Sequence, residues 1–196
     1  MANVPAFIRP LVRYADFQGR SRRSEFWSFY LLLWLGYGCL YAWLLQPFLP
    51  LFSGEPVTPD AGMLMQVLIP WSLCMIAGLA LFIPTLAVQV RRLHDSNRTG
   101  WWIVLPAAAS TIGQSLVYLF RADEIAKASM EVAQKMGEVV PANINILTIF
   151  QIEWPLYQIT MPYILVSTGI ASLIMLVLYL WPGTKGANRF GADPRH

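Results

Sequence analysis

Four stretches of this chain run for about the length of a bilayer-spanning helix without a single Asp, Glu, Lys or Arg. They are residues 26–45, 67–90, 101–120 and 161–181. A hydrocarbon core about 30 Å thick needs roughly 20 apolar residues in helical form. Helices and closed barrels are the only structures that satisfy every backbone polar group in lipid. These stretches therefore predict an all-α integral membrane protein, a four-helix bundle forming a single domain over residues 1–196. Composition agrees, with 56% hydrophobic and 13% charged residues, against roughly 45–50% and 25% for a soluble domain.

The ends of the stretches carry aromatic residues, as membrane interfaces do. Trp27, Trp101, Trp102 and Trp181 mark one set of ends, and Trp43, Trp71, Tyr118, Trp154 and Tyr163 the other. Pro84 and Pro106 are expected to remove helix hydrogen bonds and bend the second and third spans. Trp27, Tyr30, Trp34, Tyr37 and Tyr41 recur three and four residues apart, which places an aromatic stripe on one face of the first span. It reads as a packing or lipid-facing stripe in preference to a cofactor pocket.

Charge sets the direction. Residues 1–25 hold five Arg against Asp16 and Glu25, the link 91–100 holds Arg91, Arg92 and Arg98 against Asp95, and the tail holds Lys185, Arg189 and Arg195 against Asp193. The two remaining links are net acidic, with Glu55 and Asp60 in one and five acids against three bases in 121–160. The positive-inside rule then places both termini and the middle link in the cytoplasm. About 25 polar and charged residues precede the first apolar run, so that run is expected to be a permanent span, not a cleaved signal.

The spans contain no ionisable group of the kind that proton relays, ion-coupled transporters and voltage sensors use. Their polar residues are Gln89, Ser110, Thr111, Gln114 and Ser115, more in keeping with helix–helix hydrogen bonds than with a conduction path. Cys39 and Cys74 lie in apolar stretches and make neither a disulfide framework nor a zinc site. The histidines, His94 and His196, lie outside the spans, which argues against haem ligation. No cofactor, metal site or nucleic-acid partner is expected.

The link 121–160 is the unusual part. Ile125, Ser129, Val132 and Met136 share one helical face, while Lys127, Glu131 and Lys135 lie four apart on another. This helix is expected to lie on the outer membrane surface or to prolong the third span. Residues 143–152 read as a re-entrant or interfacial segment or a short strand, bounded by Pro155 and Pro162. The link is thus a long helical extracytoplasmic insertion between spans three and four, and a candidate surface for a partner protein or a second copy of the chain.

Polar chemistry gathers in three pieces flush with span ends. The first is Gly19-Arg20-Ser21-Arg22-Arg23-Ser24-Glu25-Phe26-Trp27. The second is Arg91-Arg92-Leu93-His94-Asp95, continuing through Arg98 to Trp101-Trp102. The third is Asn188-Arg189-Phe190-Gly191-Ala192-Asp193-Pro194. In these three motifs, in this order, the chain resembles the DUF 805 family (domain of unknown function 805), small bacterial inner-membrane proteins. The resemblance covers nearly the whole chain and implies a bacterial inner (plasma) membrane protein without an assigned activity. Family members commonly join their last two spans by a short turn, so the roughly 40-residue link here is a departure.

Antiparallel helices must bring the three pieces together. Arg20, Arg22, Arg23, Arg91, Arg92, Arg98 and Arg189 are then expected to crowd Glu25, Asp95 and Asp193 in bidentate pairs that tie the helix ends into a clasp. Arginines left unpaired would meet anionic lipid headgroups. His94 next to Asp95 invites an acid–base reading, but a dyad alone, without a nucleophile, metal set or phosphate loop, is a weak signal. Gly19, Gly100, Gly183, Gly186 and Gly191 read as turn and cap residues. The favoured function is non-enzymatic, a structural clasp and contact surface for headgroups or a membrane partner, as in an accessory subunit. The alternatives are a small-solute transporter or channel, and a headgroup-modifying enzyme using His94 and Asp95.

Overall fold

A computed structural model describes residues 4–52, 61–139 and 146–194. The fold is the all-α, four-span type that the sequence implies. Its main helices are α1 (Arg23–Leu45), α2 (Ala61–Asp95), α3 (Leu105–Val139) and α4 (Ile146–Leu180). All four spanning segments are long and apolar enough to cross a membrane. Among the described residues the only β pairing is an isolated bridge between Asn188 and Gly191.

Each helix outruns the charge-free stretch that signals it. The apolar stretch marks the hydrocarbon thickness, whereas the backbone hydrogen-bond ladder continues into water or into protein. Pro84, together with Pro70, lies inside α2. Pro106 instead sits in the first turn of α3, just after a 3-10 turn over Gly100–Val104. Its missing N–H is one that a first turn leaves unbonded in any case, so the bend expected in the third span has no cause there.

The helix that opens the link takes the second of its expected forms. Residues 121–139 prolong α3 beyond a single non-helical residue, Arg121, at φ −130° and ψ 22°. From Ile146 the chain is already in α4, with Pro155 and Pro162 inside the helix and not at its borders. The strand and re-entrant readings of 143–152 therefore fail for residues 146–152, while 143–145 lie outside the described residues.

The chain divides into two compact units. The first comprises Met1–Leu44, Gln66–Leu105 and Leu173–His196. Its core joins Phe26 and Phe29 of α1 to Val88 of α2, with Tyr30 and Tyr179 packed against them. The Phe26 ring lies 4.5 Å from that of Tyr30 and 4.6 Å from that of Tyr179. A second cluster sets Leu93 of α2 against Met175 and Leu178 of α4. These contacts bring the start of α1, the end of α2 and the end of α4 together. The Gln89 amide also donates across helices to the Tyr30 hydroxyl. The aromatic stripe of α1 lines an open groove of about 640 Å³ facing Cys74, Met75 and Gly78 of α2.

The second unit comprises Leu45–Met65 and Pro106–Ser172. There Gly113 of α3 lies against α4. A Cβ at 113 would stand 3.0 Å from the Ser167 Cβ and 3.2 Å from the Tyr163 carbonyl oxygen. Small residues at such a crossing let membrane helices approach closely. Thr111 and Ser115 donate back to Ala107 and Thr111 of their own helix, at 3.0 and 2.9 Å. The expected cross-helix bonds from these two residues are therefore not made, because the carbonyl four residues earlier is the nearest acceptor.

Candidate functional site: the arginine-rich end of the spans

The side-chain distribution is the reverse of a water-soluble protein's. Leu79 and Trp34 are 78% and 76% exposed, whereas Arg91 and Arg92 are fully buried and are the largest such side chains. An apolar exterior suits lipid, and buried guanidiniums require partners. Those partners lie in the first unit, where the three polar pieces meet.

Asp95, at the last turn of α2, is the centre. Its Oδ1 accepts from Arg20 Nε at 3.0 Å and stands 2.9 Å from Arg20 Nη2 in the same ion pair, and its Oδ2 accepts from Arg92 Nη1 at 2.6 Å. Arg20 reaches on to the carbonyls of Gly186 and Thr184, both at 2.6 Å. Arg92 Nε donates to the Tyr179 carbonyl at 2.9 Å, and its Nη2 donates to that of Trp181. Arg92 thereby caps the end of α4, where carbonyls lack intrahelical donors and cations are favoured. The Asp95 backbone carbonyl completes the junction by accepting from Thr184 N at 2.9 Å.

A second knot holds the segment before α1. Arg91 donates to the Asp16 carbonyl and approaches Glu25 Oε1 at 3.5 Å. The Ser21 amide donates to the Arg91 carbonyl at 3.1 Å. Arg13 pairs with Asp16 at 2.7 Å. Burial opposes ionisation of Asp16, but the bonds from Arg13 and from the Gln18 amide, with the charges of Arg13 and Arg91, hold its carboxyl below the usual range.

The tail supplies the third strand of the junction. Asn188 Nδ2 donates to the His94 carbonyl at 2.9 Å, and its Oδ1 accepts from Phe190 N at 2.9 Å. The buried Asp193 accepts from Gly186 N at 3.1 Å. Gly19 and Gly186 adopt φ of +78° and +75°, a conformation that glycine enters at little cost.

His94 stacks on Phe190 with ring centroids 3.9 Å apart, and its Nδ1 lies 3.2 Å from the Gly19 carbonyl oxygen. Since a carbonyl can only accept, Nδ1 carries the proton in that bond. The Asp95 carboxylate goes to Arg20 and Arg92, so the His94–Asp95 pair that the sequence invites is not formed.

The remaining arginines stand outside the buried network. Arg189 is exposed, donating to the Asn97 carbonyl at 3.1 Å with its guanidinium 4.6 Å from the Phe190 ring centroid. It takes a carbonyl and an aromatic face where a carboxylate was expected. Arg98 lies over the Trp181 ring at 5.7 Å. Arg22 donates to the Pro194 carbonyl, and Arg23 is exposed. Trp101 and Trp102, on the 3-10 turn before α3, are exposed by 82% and 41%, as suits interfacial anchors. Among the described residues no group of His, Cys, Asp and Glu could hold a metal ion.

Sequence reasoning placed Ser21, Phe190 and Pro194 inside the motifs without assigning them a contact, and gave Thr184 no role. Most of the arginine acceptors are backbone carbonyls, and residue type carries no signal for those.

The chain is similar to two inner membrane proteins of Escherichia coli strain K12. It is 31% identical to inner membrane protein YhaH over 99 residues, covering 50% of this chain and 69% of that one. It is 29% identical to inner membrane protein YhaI over 106 residues, covering 50% and 68%. No solved structure shows a significant match. The model of the family described as "Protein of unknown function (DUF805)" matches residues 14–192, a range that takes in the first two motifs, the third as far as Ala192 and all four spans, and the chain belongs to that family.

Proposed function

We propose that this is a non-enzymatic inner-membrane protein whose cytoplasmic end is a clasp, holding three chain segments as one rigid surface for lipid headgroups or a partner membrane protein. The observation that carries the reading is the capture of one carboxylate, Asp95, by two buried guanidiniums. These guanidiniums, Arg20 and Arg92, also take the carbonyls of Tyr179, Trp181, Thr184 and Gly186. Groups used up in this way are unsuited to turnover and well suited to fixing a surface. Arg23, Lys185 and Arg189 are exposed on that surface and Arg22 is half-buried beside them, and their sign matches anionic headgroups on the cytoplasmic leaflet. The sidedness rests on the positive-inside rule. An accessory-subunit role in a membrane complex follows from a surface without turnover chemistry.

The test is purification of the full chain and an Asp95→Asn variant in mild detergent, with mass spectrometry of co-purifying lipids and proteins. The reading expects a defined lipid or protein to accompany the wild type and to be lost with the clasp. Identical companions for both proteins would refute it.

The transporter alternative draws on a cavity of about 280 Å³ in the second unit. It is lined by Gln114, Ser129, Tyr157 and Thr160 among apolar Val117, Ile125, Leu156 and Ile164. Gln114, Tyr157 and Thr160 bond to Ser110, Glu153 and Leu156 along their own helices. Groups satisfied locally offer little to a passing solute, which favours the clasp.

A further inference from the structure

A recess of about 210 Å³ opens beside the clasp, lined by Arg22, Arg23 and Ser24 at the start of α1, by Asp95 and Gly183, and by Pro194 of the tail. We propose that this recess binds the phosphate group of an anionic membrane lipid. The proposal deepens the clasp reading by assigning a ligand class to one part of its surface.

Charge balance is the first argument. Asp95 is the carboxylate in the recess wall, and both its oxygens are engaged, Oδ1 by Arg20 and Oδ2 by Arg92. Two buried guanidiniums for one carboxylate already leave a positive excess, and Arg22 and Arg23 add to it at the rim. Asp193 of the tail, whose Oδ2 accepts from the Gly186 amide, offsets one of these charges, which leaves the four guanidiniums of Arg20, Arg22, Arg23 and Arg92 against two carboxylates. A concentration of guanidinium groups beside a low-dielectric boundary is costly without a counter-anion.

The second argument is donor supply. Arg22 uses its Nε on the Pro194 carbonyl, and its two terminal nitrogens make no other described bond. Arg23 is exposed and makes no described hydrogen bond or ion pair. Its charge is close enough to oppose that of Arg92. Two guanidinium forks and the Ser24 hydroxyl form a donor set that matches the oxygens of a phosphate group.

The third argument is height. Trp101, Trp102 and Trp181 are exposed at this same end of the first unit, and tryptophans concentrate at the headgroup level. A phosphate at that level belongs to a lipid in the first instance, and a soluble phosphate is the competing source.

The test uses the full-length protein in phosphatidylcholine nanodiscs doped with phosphatidylglycerol. Retained phosphatidylglycerol is quantified by native mass spectrometry, and inorganic phosphate serves as the soluble probe. Each basic residue near a headgroup is worth enough that Arg23→Gln should weaken retention about fivefold, and Arg22→Gln with Arg23→Gln about 30-fold. Lys135→Gln, at a residue that does not line the recess, should change nothing. Melting temperature is recorded for each protein, and Arg23→Lys should restore most of the retention because it keeps the charge. Equal retention by wild type and double variant overturns the site. Arg22- and Arg23-dependent binding of inorganic phosphate without phosphatidylglycerol retention overturns the lipid source. Since Arg20, Arg92 and Asp95 are untouched, lost retention at an unchanged melting temperature supports the lipid site while leaving the clasp to its own test.

Discussion

Gly183 lies so close against Asp95 that a Cβ at 183 would stand 2.6 Å from the carboxylate carbon and 2.8 Å from Oδ1. The carboxylate cannot swing aside, because Arg20 holds one oxygen and Arg92 the other. Gly183→Ala is therefore expected to cost about 1–3 kcal/mol, the range of overpacking in a fixed environment. Gly137→Ala, at a helical glycine with open space around it, should be neutral or stabilising by about 0.5–1 kcal/mol. Thermal unfolding of the two variants in detergent checks the contrast, which equal melting temperatures would remove.

Arg92 serves Asp95, Tyr179 and Trp181 at once through three different nitrogens. An ammonium group cannot reproduce that planar fork. Arg92→Lys should thus destabilise nearly as much as Arg92→Ala, where loss of a buried partner costs about 3–5 kcal/mol. Arg189→Ala removes an exposed side chain bonded to one carbonyl and should stay within about 0.5 kcal/mol. Full rescue by lysine at 92 would contradict the capping role.

Reporter fusions after residues 60 and 140 are expected to be extracytoplasmic, and fusions after 97 and 196 cytoplasmic. The three Arg-rich pieces then share the cytoplasmic side, as the positive-inside rule requires. A cytoplasmic reporter at 140 would overturn the four-span topology.

Residues 121–139 and 146–160 continue α3 and α4 past their apolar stretches. Ile125 and Ser129 line one cavity with Leu156, Tyr157 and Thr160, so this extension has packing of its own. The expectation that it docks an extracytoplasmic partner or a second copy predicts that it is separable from the clasp. Replacing residues 122–152 with a short turn should preserve insertion and change the oligomeric state or co-purifying partners. Unchanged companions and mass in native electrophoresis would show the link to be dispensable.

Much of this architecture was legible because lipid imposes a crude rule on sequence, and residues 26–45, 67–90, 101–120 and 161–181 obey it. The same rule says nothing of how far a helix runs beyond the hydrocarbon. Pro155 and Pro162 look like boundaries in sequence, yet both lie inside α4. At the polar end, charge content announced a clasp but not its wiring. Arg91 meets Glu25, while Arg189 turns to a backbone carbonyl and an aromatic ring. His94 and Asp95 are adjacent in sequence, yet one packs on Phe190 and the other binds two arginines. Neighbours on a helix point in different directions, so adjacency alone could not pair them.

The most direct measurement is a double-mutant cycle between Arg20 and Asp95, 75 positions apart in the chain, read as unfolding free energy in detergent. Asp95→Asn should be the most damaging single change, since it strands two buried guanidiniums. Arg20→Ala combined with Asp95→Asn should lose clearly less than the two single losses together, with a coupling of about 1 kcal/mol or more. Strictly additive losses would mean that these residues do not hold the three segments together, and the clasp would be contradicted.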